Sequence, residues 1–170
     1  MLEKTLNREG FGDILADGSE KAAQRLGKGQ EYLLTVKGQE LPAHMPQVKR
    51  SLALIYAVNP FGADHQSSEH DPEYKPASYD YYRDRFEPLG LTQPQDVLSL
   101  NAEKINYLVT TQYTYSATDT MTLCQFVWGP SWQLYSAQEM AELLSATTGW
   151  DVTLADIQAM GQKRVNMMRA

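Results

Sequence analysis

The strongest constraint on the fold lies in residues 101–170, where three helix-start signals each precede an apolar stripe at helical spacing. Asn101 is of a residue type that caps a helix N-terminus with its side-chain oxygen. Ser136 and Glu139 have the spacing of a capping box, in which each side chain bonds the other residue's backbone amide. Thr153 precedes the last stripe, which continues to the end of the chain. These signals predict a mainly α, multihelical domain.

The first forty residues predict shorter elements. Apolar positions in residues 11–26 favour a helix, and Gly18 divides it into two pieces that meet at a bend. A β-favouring run follows, and Lys37 and Gly38 can form a tight turn inside it. The sequence therefore predicts a short β-hairpin near residues 32–41.

The middle of the chain combines a buried helix with a long connection. Helical spacing of apolar residues begins at Met45, and Leu52–Val58 is apolar all round, which is typical of a helix buried on most sides. Pro60 ends this helix, because a residue that precedes proline is pushed out of the α region. Residues 61–98, rich in proline and tyrosine, predict a long irregular segment with one helix around Ser78–Phe86.

Charge and composition exclude several classes of protein. The net charge is −6 and the pI is near 5.0, so the chain does not have the basic balance of a nucleic-acid-binding or anionic-membrane-binding protein. Its longest apolar run is too short to span a bilayer, and its first residues lack the apolar core of a signal peptide. The single cysteine, Cys124, allows no internal disulfide. We therefore expect a cytoplasmic protein with no nucleic-acid or membrane partner.

Ionisable side chains are concentrated in one short segment after the buried helix. It contains Asp64, His65, Glu69, His70 and Asp71. An imidazole in this segment could transfer a proton near neutral pH, or it could bind a metal together with a neighbouring carboxylate. Spacing alone favours a third interpretation, a solvated polar loop.

Cys124 also leaves alternatives open. Its thiolate could be a ligand of a soft metal or an iron–sulfur cluster, although three ligands would then be missing. It could act as a nucleophile with His65 as its base, but no thiol-protease signature supports that chemistry. The residue alone favours a buried thiol that behaves as a small hydrophobe.

Several segments taken in order point to one known family. The chain resembles the tungsten- or molybdenum-pterin aldehyde ferredoxin oxidoreductases in stretches that carry distinctive residues: REGFGDILADGS at 8–19, TVKGQELPAH at 35–44, YAVNPFGADH at 56–65 and ATDTMTLC at 117–124. The ordered set is far more specific than any one of its members, and it covers nearly the whole chain.

The resemblance implies that residues 1–170 are one helical region, the C-terminal part of a larger subunit. The N-terminal β domain that cradles the pterin, together with three further cluster ligands, would lie upstream. The complete enzyme would oxidise aldehydes to carboxylic acids with a ferredoxin-like electron acceptor, using a tungsten- or molybdenum-bis-pterin and a 4Fe–4S cluster. It could form a homodimer, and the isolated chain would be an inactive fragment that binds neither cofactor.

The resemblance also assigns site residues. His65 falls on the family's active-site histidine, and Asp119 falls on the aspartate that accepts hydrogen bonds from the pterin edge. Thr122 and Leu123 lie where the family's backbone approaches the same cofactor, and Cys124 falls on the fourth cluster ligand. Thr122 stands where the family has glycine, and this departure favours an alternative, a stand-alone helical binding or scaffold module without redox chemistry.

Overall fold

The computed structural model describes residues 1–170 and is mainly α, as predicted. It contains nine α-helices, one antiparallel hairpin and two 3₁₀ turns, at Gln30–Tyr32 and Glu87–Leu89. The helices are α1 (Leu2–Leu6), α2 (Phe11–Leu15), α3 (Ser19–Leu26), α4 (Arg50–Val58), α5 (Asp71–Tyr74), α6 (Tyr79–Phe86), α7 (Ala102–Thr120), α8 (Ala137–Thr148) and α9 (Leu154–Arg169). The strands are β1 (Thr35–Val36) and β2 (Gln39–Glu40). None of the helices combines the length and apolarity that a bilayer span requires.

Helix α7 is the centre of the fold, with α9 and α4 packed against it. Its predicted cap is confirmed, since the Asn101 side-chain oxygen accepts a hydrogen bond from the Lys104 amide at 2.8 Å. The closest approach to α9 is at Gly161, where a Cβ atom would lie 1.8 Å from the carbonyl oxygen of Tyr113. Glycine is therefore required at this crossing, because no side chain fits between the two backbones.

The two capping signals of the C-terminal helices are also confirmed. The side chains of Ser136 and Glu139 bond each other's backbone amides at the start of α8, and Thr153 and Asp156 do the same for α9. Reciprocal bonds of this kind satisfy amides that would otherwise lack a partner at a helix start. Both caps could be read from local sequence because they involve residues only three positions apart.

The predicted hairpin is present but short. Thr35 pairs with Glu40, and Val36 pairs with Gln39. Lys37 and Gly38 connect the strands, and both have positive φ angles, of 53° and 77°. This is the backbone pattern of a type I′ turn, whose twist matches that of the flanking strands.

The structure differs from the sequence expectation in the start of one helix and in an additional helix within the segment 61–98. The helix expected from Met45 begins at Arg50, because Pro46 has no amide hydrogen to donate and disfavours helical backbone at Met45. In the segment 61–98, helix α6 confirms the expected helix, but α5 was not predicted. That segment is less irregular than expected because its aromatic residues Tyr74, Tyr79 and Phe86 form a core together with Leu91 and with Tyr107 of α7.

A buried ion pair joins this segment to the helical core. The Asp71 carboxylate accepts hydrogen bonds from Lys104 Nζ at 2.5 Å and from the Ser51 amide at 3.1 Å, and both ionic side chains are fully buried. It also accepts from the Leu52 amide at 3.3 Å. Asp71 therefore caps α4 from a distant part of the chain, since the N-cap residue Lys49 makes no side-chain cap.

Candidate functional site

Helix α7 ends at Thr120, and the residues from Asp119 to Cys124 form its last residues and the turn that follows them. The Thr122 amide donates to the Asp119 carbonyl at 3.1 Å, and the Leu123 amide donates to the Thr118 carbonyl at 3.0 Å. These two bonds define a Schellman motif, a helix ending whose first residue beyond the cap has left-handed backbone. Thr122 is that residue, with φ at +57°. The structure therefore explains why glycine suits this position and why threonine strains it.

Asp119 presents its carboxylate at this helix end. One carboxylate oxygen accepts from Gln125 Nε2 at 2.9 Å, and the other lies 3.0 Å from a guanidinium nitrogen of Arg164 on α9. Partial burial raises the pKa of Asp119 above its ordinary value, and Arg164 and Gln125 oppose that shift. Because an ionised carboxylate offers about four lone-pair positions, the group keeps capacity for further donors.

Thr122 and Leu123 add acceptors but no free amide donors to this surface. Their amides are used in the helix ending, whereas their carbonyl oxygens accept no hydrogen bond. Leu123 also packs against the core between α7, α8 and α9. The helix end therefore has two carbonyl oxygens without a partner in the chain, and the apolar side chain of Leu123 anchors it.

Cys124 is exposed, so the interpretation as a buried thiol is wrong. The helix ending turns the chain away from the core at this point, and Leu123 rather than Cys124 fills the apolar position. The chain has no group of three or more His, Cys, Asp or Glu side chains arranged to bind a metal ion. The Cys124 thiol is therefore free and open to the surface at the end of this turn.

His65 lies in the turn after α4, is half-buried, and forms a cluster with the other two histidines of the chain. Its ring centroid is 4.8 Å from that of His44 and 6.0 Å from that of His70. The Nδ1 atom of His65 is buried and has no hydrogen-bond partner. Burial lowers the pKa of both His44 and His70, and the charge of Lys49 acts in the same direction. The cluster therefore favours neutral imidazoles around His65.

The interpretation of this segment as a solvated polar loop is wrong. Glu69 is only 1% exposed and Asp71 is fully buried. Asp71 is held by the α4 amides and Lys104, and Glu69 accepts hydrogen bonds from Ser131 and Tyr115. The sequence gives no local signal of this burial, because Lys104, Ser51, Ser131 and Tyr115 are all distant along the chain from the carboxylates that they bind.

The candidate site has two halves, the segment 61–71 after α4 and the end of α7 with the part of α9 beside it. A small cavity lies between them. Its lining includes Phe61 and Ser67 from the segment 61–71, which we call the histidine segment. It also includes Asp119 of α7 and Arg164 of α9. Asp64 is also close enough to contribute to the raised pKa of Asp119. No hydrogen bond joins the His65 ring to the residues 119–124. The structure therefore places the two halves side by side but does not connect His65 directly to Asp119 or Cys124.

Sequence reasoning missed the residues that support the site. Arg164 and Gln125 hold Asp119, and His44 packs against His65. Gln125 directly follows the recognised motif, so its position was a usable signal. Arg164 and His44 approach only through tertiary packing, and no local pattern indicates them.

Comparison with known proteins gives one consistent result. A family model described as "Aldehyde ferredoxin oxidoreductase, domains 2 & 3" matches residues 1–170. The chain is similar to proteins named tungsten-containing aldehyde ferredoxin oxidoreductase, at 33% identity in Pyrococcus furiosus, 32% in Pyrococcus abyssi and 29% in Thermococcus kodakarensis. Each match covers 99% of this chain and 25% of the relative. The chain therefore spans about a quarter of the length of these curated relatives.

Proposed function

The chain belongs to the aldehyde ferredoxin oxidoreductase family, and we propose that it supplies the helical side of a tungsten- or molybdenum-pterin, iron–sulfur active site. The complete enzyme oxidises aldehydes to carboxylic acids and passes the electrons to a ferredoxin-like acceptor. The observation that carries the proposal is the end of α7, where Asp119 and the exposed Cys124 lie within one helix ending. A single element can thus serve the pterin and the cluster together.

The donor and acceptor pattern of this helix end fits a pterin. The edge of a pterin presents N–H donors in a guanidine-like arrangement, and such donors require acceptors. Asp119 provides a carboxylate, and Thr122 and Leu123 provide carbonyl oxygens that have no other partner. The charge of Arg164 favours the ionised form of Asp119, which accepts hydrogen bonds and donates none.

The exposed Cys124 thiol fits the role of one cluster ligand. A 4Fe–4S cluster is held by four thiolates, and this chain has one cysteine. The proposal places the remaining three ligands, and the domain that encloses the pterin, outside residues 1–170. When bound, the metal–pterin group accepts the electrons of the oxidation and the cluster passes them on.

His65 is proposed to move a proton at the substrate oxygen. Conversion of an aldehyde and water to a carboxylic acid releases two protons together with two electrons, so a base is needed beside the reacting carbon. A neutral imidazole has one ring nitrogen that can accept a proton, which suits this role. The buried, unpartnered Nδ1 atom leaves the proton exchange of His65 to its other ring nitrogen.

The full-length enzyme provides the test of these roles. We expect Asp119→Asn to lower pterin and tungsten content, because an amide replaces one acceptor oxygen with a donor. We expect His65→Asn to keep both cofactors but to lower kcat by roughly a hundred-fold or more, the usual scale of lost acid–base catalysis. Asp84→Asn, an exposed change on α6, is the matched control. Normal cofactor content in Asp119→Asn together with full activity in His65→Asn would overturn the proposal.

A second candidate is a helical binding or scaffold module that has lost redox chemistry. Thr122 favours it, because a Cβ atom stands where the family has glycine next to the cofactor. This candidate predicts that Cys124→Ser leaves iron content and activity unchanged in the longer protein. A homodimer, inactivity of the isolated chain and a cytoplasmic location stay predictions.

A further inference from the structure

The three histidines of the chain converge although they come from two separate segments. His44 follows the hairpin, whereas His65 and His70 follow α4. The ring of His44 lies 4.8 Å from that of His65 and 4.9 Å from that of His70, centroid to centroid. His65 itself contributes no hydrogen bond through its Nδ1 atom. The orientation of its ring must therefore be set by its neighbours.

His70 makes the polar contact that fixes the backbone at His65. Its Nε2 atom lies 2.7 Å from the His65 carbonyl oxygen. Because a carbonyl oxygen only accepts, Nε2 of His70 must carry the hydrogen in this bond. Burial lowers the pKa of His70, so the neutral ring with its proton on Nε2 is the favoured form.

Glu69 anchors His70 to the rest of the site. Its carboxylate accepts from the His70 amide at 3.1 Å on one oxygen, and from Tyr115 at 3.3 Å and Ser131 on the other. Its own amide donates to Thr111 at 3.1 Å. Tyr115 and Thr111 belong to α7, and Ser131 belongs to the loop after Cys124. The buried side chain of Glu69 thus joins the histidine segment to α7 and to the loop after Cys124. These are the elements that carry or adjoin the proposed cofactor residues.

We infer that Glu69 and His70 are positioning residues for His65, an inference that rests on the proposed role of His65 in proton transfer. Glu69 fixes His70 relative to α7, and His70 fixes the backbone of His65 through its Nε2–H bond. The ring of His44 packs against the rings of both His65 and His70. The imidazole of His65 is thereby held in one place without a hydrogen bond from its own Nδ1 atom.

Nitrogen NMR of the histidine rings tests this inference on the 170-residue chain itself. With three histidines, each ring can be assigned from single variants. In the wild-type chain we expect His70 to show the Nε2–H tautomer with a ring N–H that exchanges slowly with solvent. A His70 ring with its hydrogen on Nδ1, or one that exchanges as fast as an exposed histidine, overturns the inference without any variant.

Two variants and a control separate positioning from general stability. We expect His70→Phe, which keeps the ring but loses the donor, to shift the His65 ring signals. We expect His70→Gln, whose amide can still donate, to return them toward the wild-type values. Ile157→Val removes one methyl from the buried face of α9, so it lowers stability without touching the histidines and should leave the signals unchanged. Unchanged His65 signals in a folded His70→Phe chain would overturn the inference.

The full-length enzyme distinguishes failure of this inference from failure of the proposed function. There we expect His70→Phe to lower kcat roughly ten- to hundred-fold with little change in KM, the scale expected when a catalytic group is misplaced by about 1 Å. Full activity of His65→Asn would contradict the proposed function while leaving the NMR result in place. Full activity of His70→Phe together with inactivity of His65→Asn would contradict only the positioning role.

Discussion

Removal of the buried cation at position 104 is expected to be the most damaging single polar change in the chain. Lys104 and Asp71 are fully buried, and Lys104 Nζ also donates to the Asp96 carbonyl at 2.8 Å. The change Lys104→Met keeps the length of the side chain but leaves the Asp71 carboxylate buried without its counter-charge. Breaking a buried pair in this way costs about 3–5 kcal/mol of unfolding free energy.

The hydrogen bonds from the amides at the start of α4 reduce the expected loss of unfolding free energy. Asp71 keeps its hydrogen bonds from Ser51 and Leu52 after the substitution, so the lower half of the range is expected. For a chain of this size, about 3 kcal/mol corresponds to a Tm lower by roughly 6–12 °C. Urea denaturation followed by tryptophan fluorescence measures the free energy, and thermal unfolding measures the Tm.

A double variant and a surface control make this prediction specific. Lys104→Met combined with Asp71→Asn removes both charges, so we expect it to be less destabilised than the sum of the single changes by about 0.5–3 kcal/mol. Arg83→Met removes one partner of the exposed ion pairs on α6 and should cost less than about 1 kcal/mol. A cost for Lys104→Met no larger than that for Arg83→Met would refute the role of the buried pair.

Three further changes test other parts of the structure by urea denaturation. Thr122→Gly should raise the unfolding free energy by about 1 kcal/mol, because glycine adopts the φ of +57° without strain, and a destabilised variant would contradict this. Gly161→Ala should lower the unfolding free energy by about 2 kcal/mol or more, because the new Cβ would meet the Tyr113 carbonyl at 1.8 Å. An unchanged free energy would contradict the close crossing of α7 and α9. Burial raises the pKa of Glu69 to about 7 from an ordinary 4.5, so the native state binds more protons than the unfolded state between these values. Glu69 should therefore make stability fall as pH rises through this interval, by roughly 1.4 kcal/mol for each pH unit, whereas the lowered pKa values of His44 and His70 act in the opposite direction. The slope of Glu69→Gln should differ from the wild-type slope by the Glu69 contribution, and equal slopes in both proteins would contradict the burial of Glu69.

The helical elements could be predicted where their determinants are local. The caps at Asn101, Ser136 and Thr153 depend on residues three positions away, and all three mark the start of a helix. The predicted start of α4 was wrong because its cap, Asp71, comes from a segment twenty residues further along the chain. Helix α1 was missed because its short sequence has no strong cap or stripe, and its contact with α2 is tertiary.

The candidate site could be predicted only where the resemblance supplied it. Asp119, Thr122 and Cys124 stand together in a short motif, and the left-handed backbone at Thr122 agrees with the glycine expected there. The partners of these residues could not be read from the sequence. Arg164 reaches Asp119 through the packing of α9 on α7, and Glu69 reaches Ser131 across 62 residues.

The iron content of the full-length enzyme with Cys124→Ser tests the central claim most directly. Iron analysis and electron paramagnetic resonance would compare this variant with the wild type and with Thr120→Ser, a conservative change at an exposed position of the same helix end. If Cys124 is a cluster ligand, roughly a quarter or more of the cluster iron is lost and electron transfer to the acceptor fails, whereas Thr120→Ser matches the wild type. Unchanged iron content, an unchanged resonance signal and full activity in Cys124→Ser would contradict the claim that this chain contributes to a redox site.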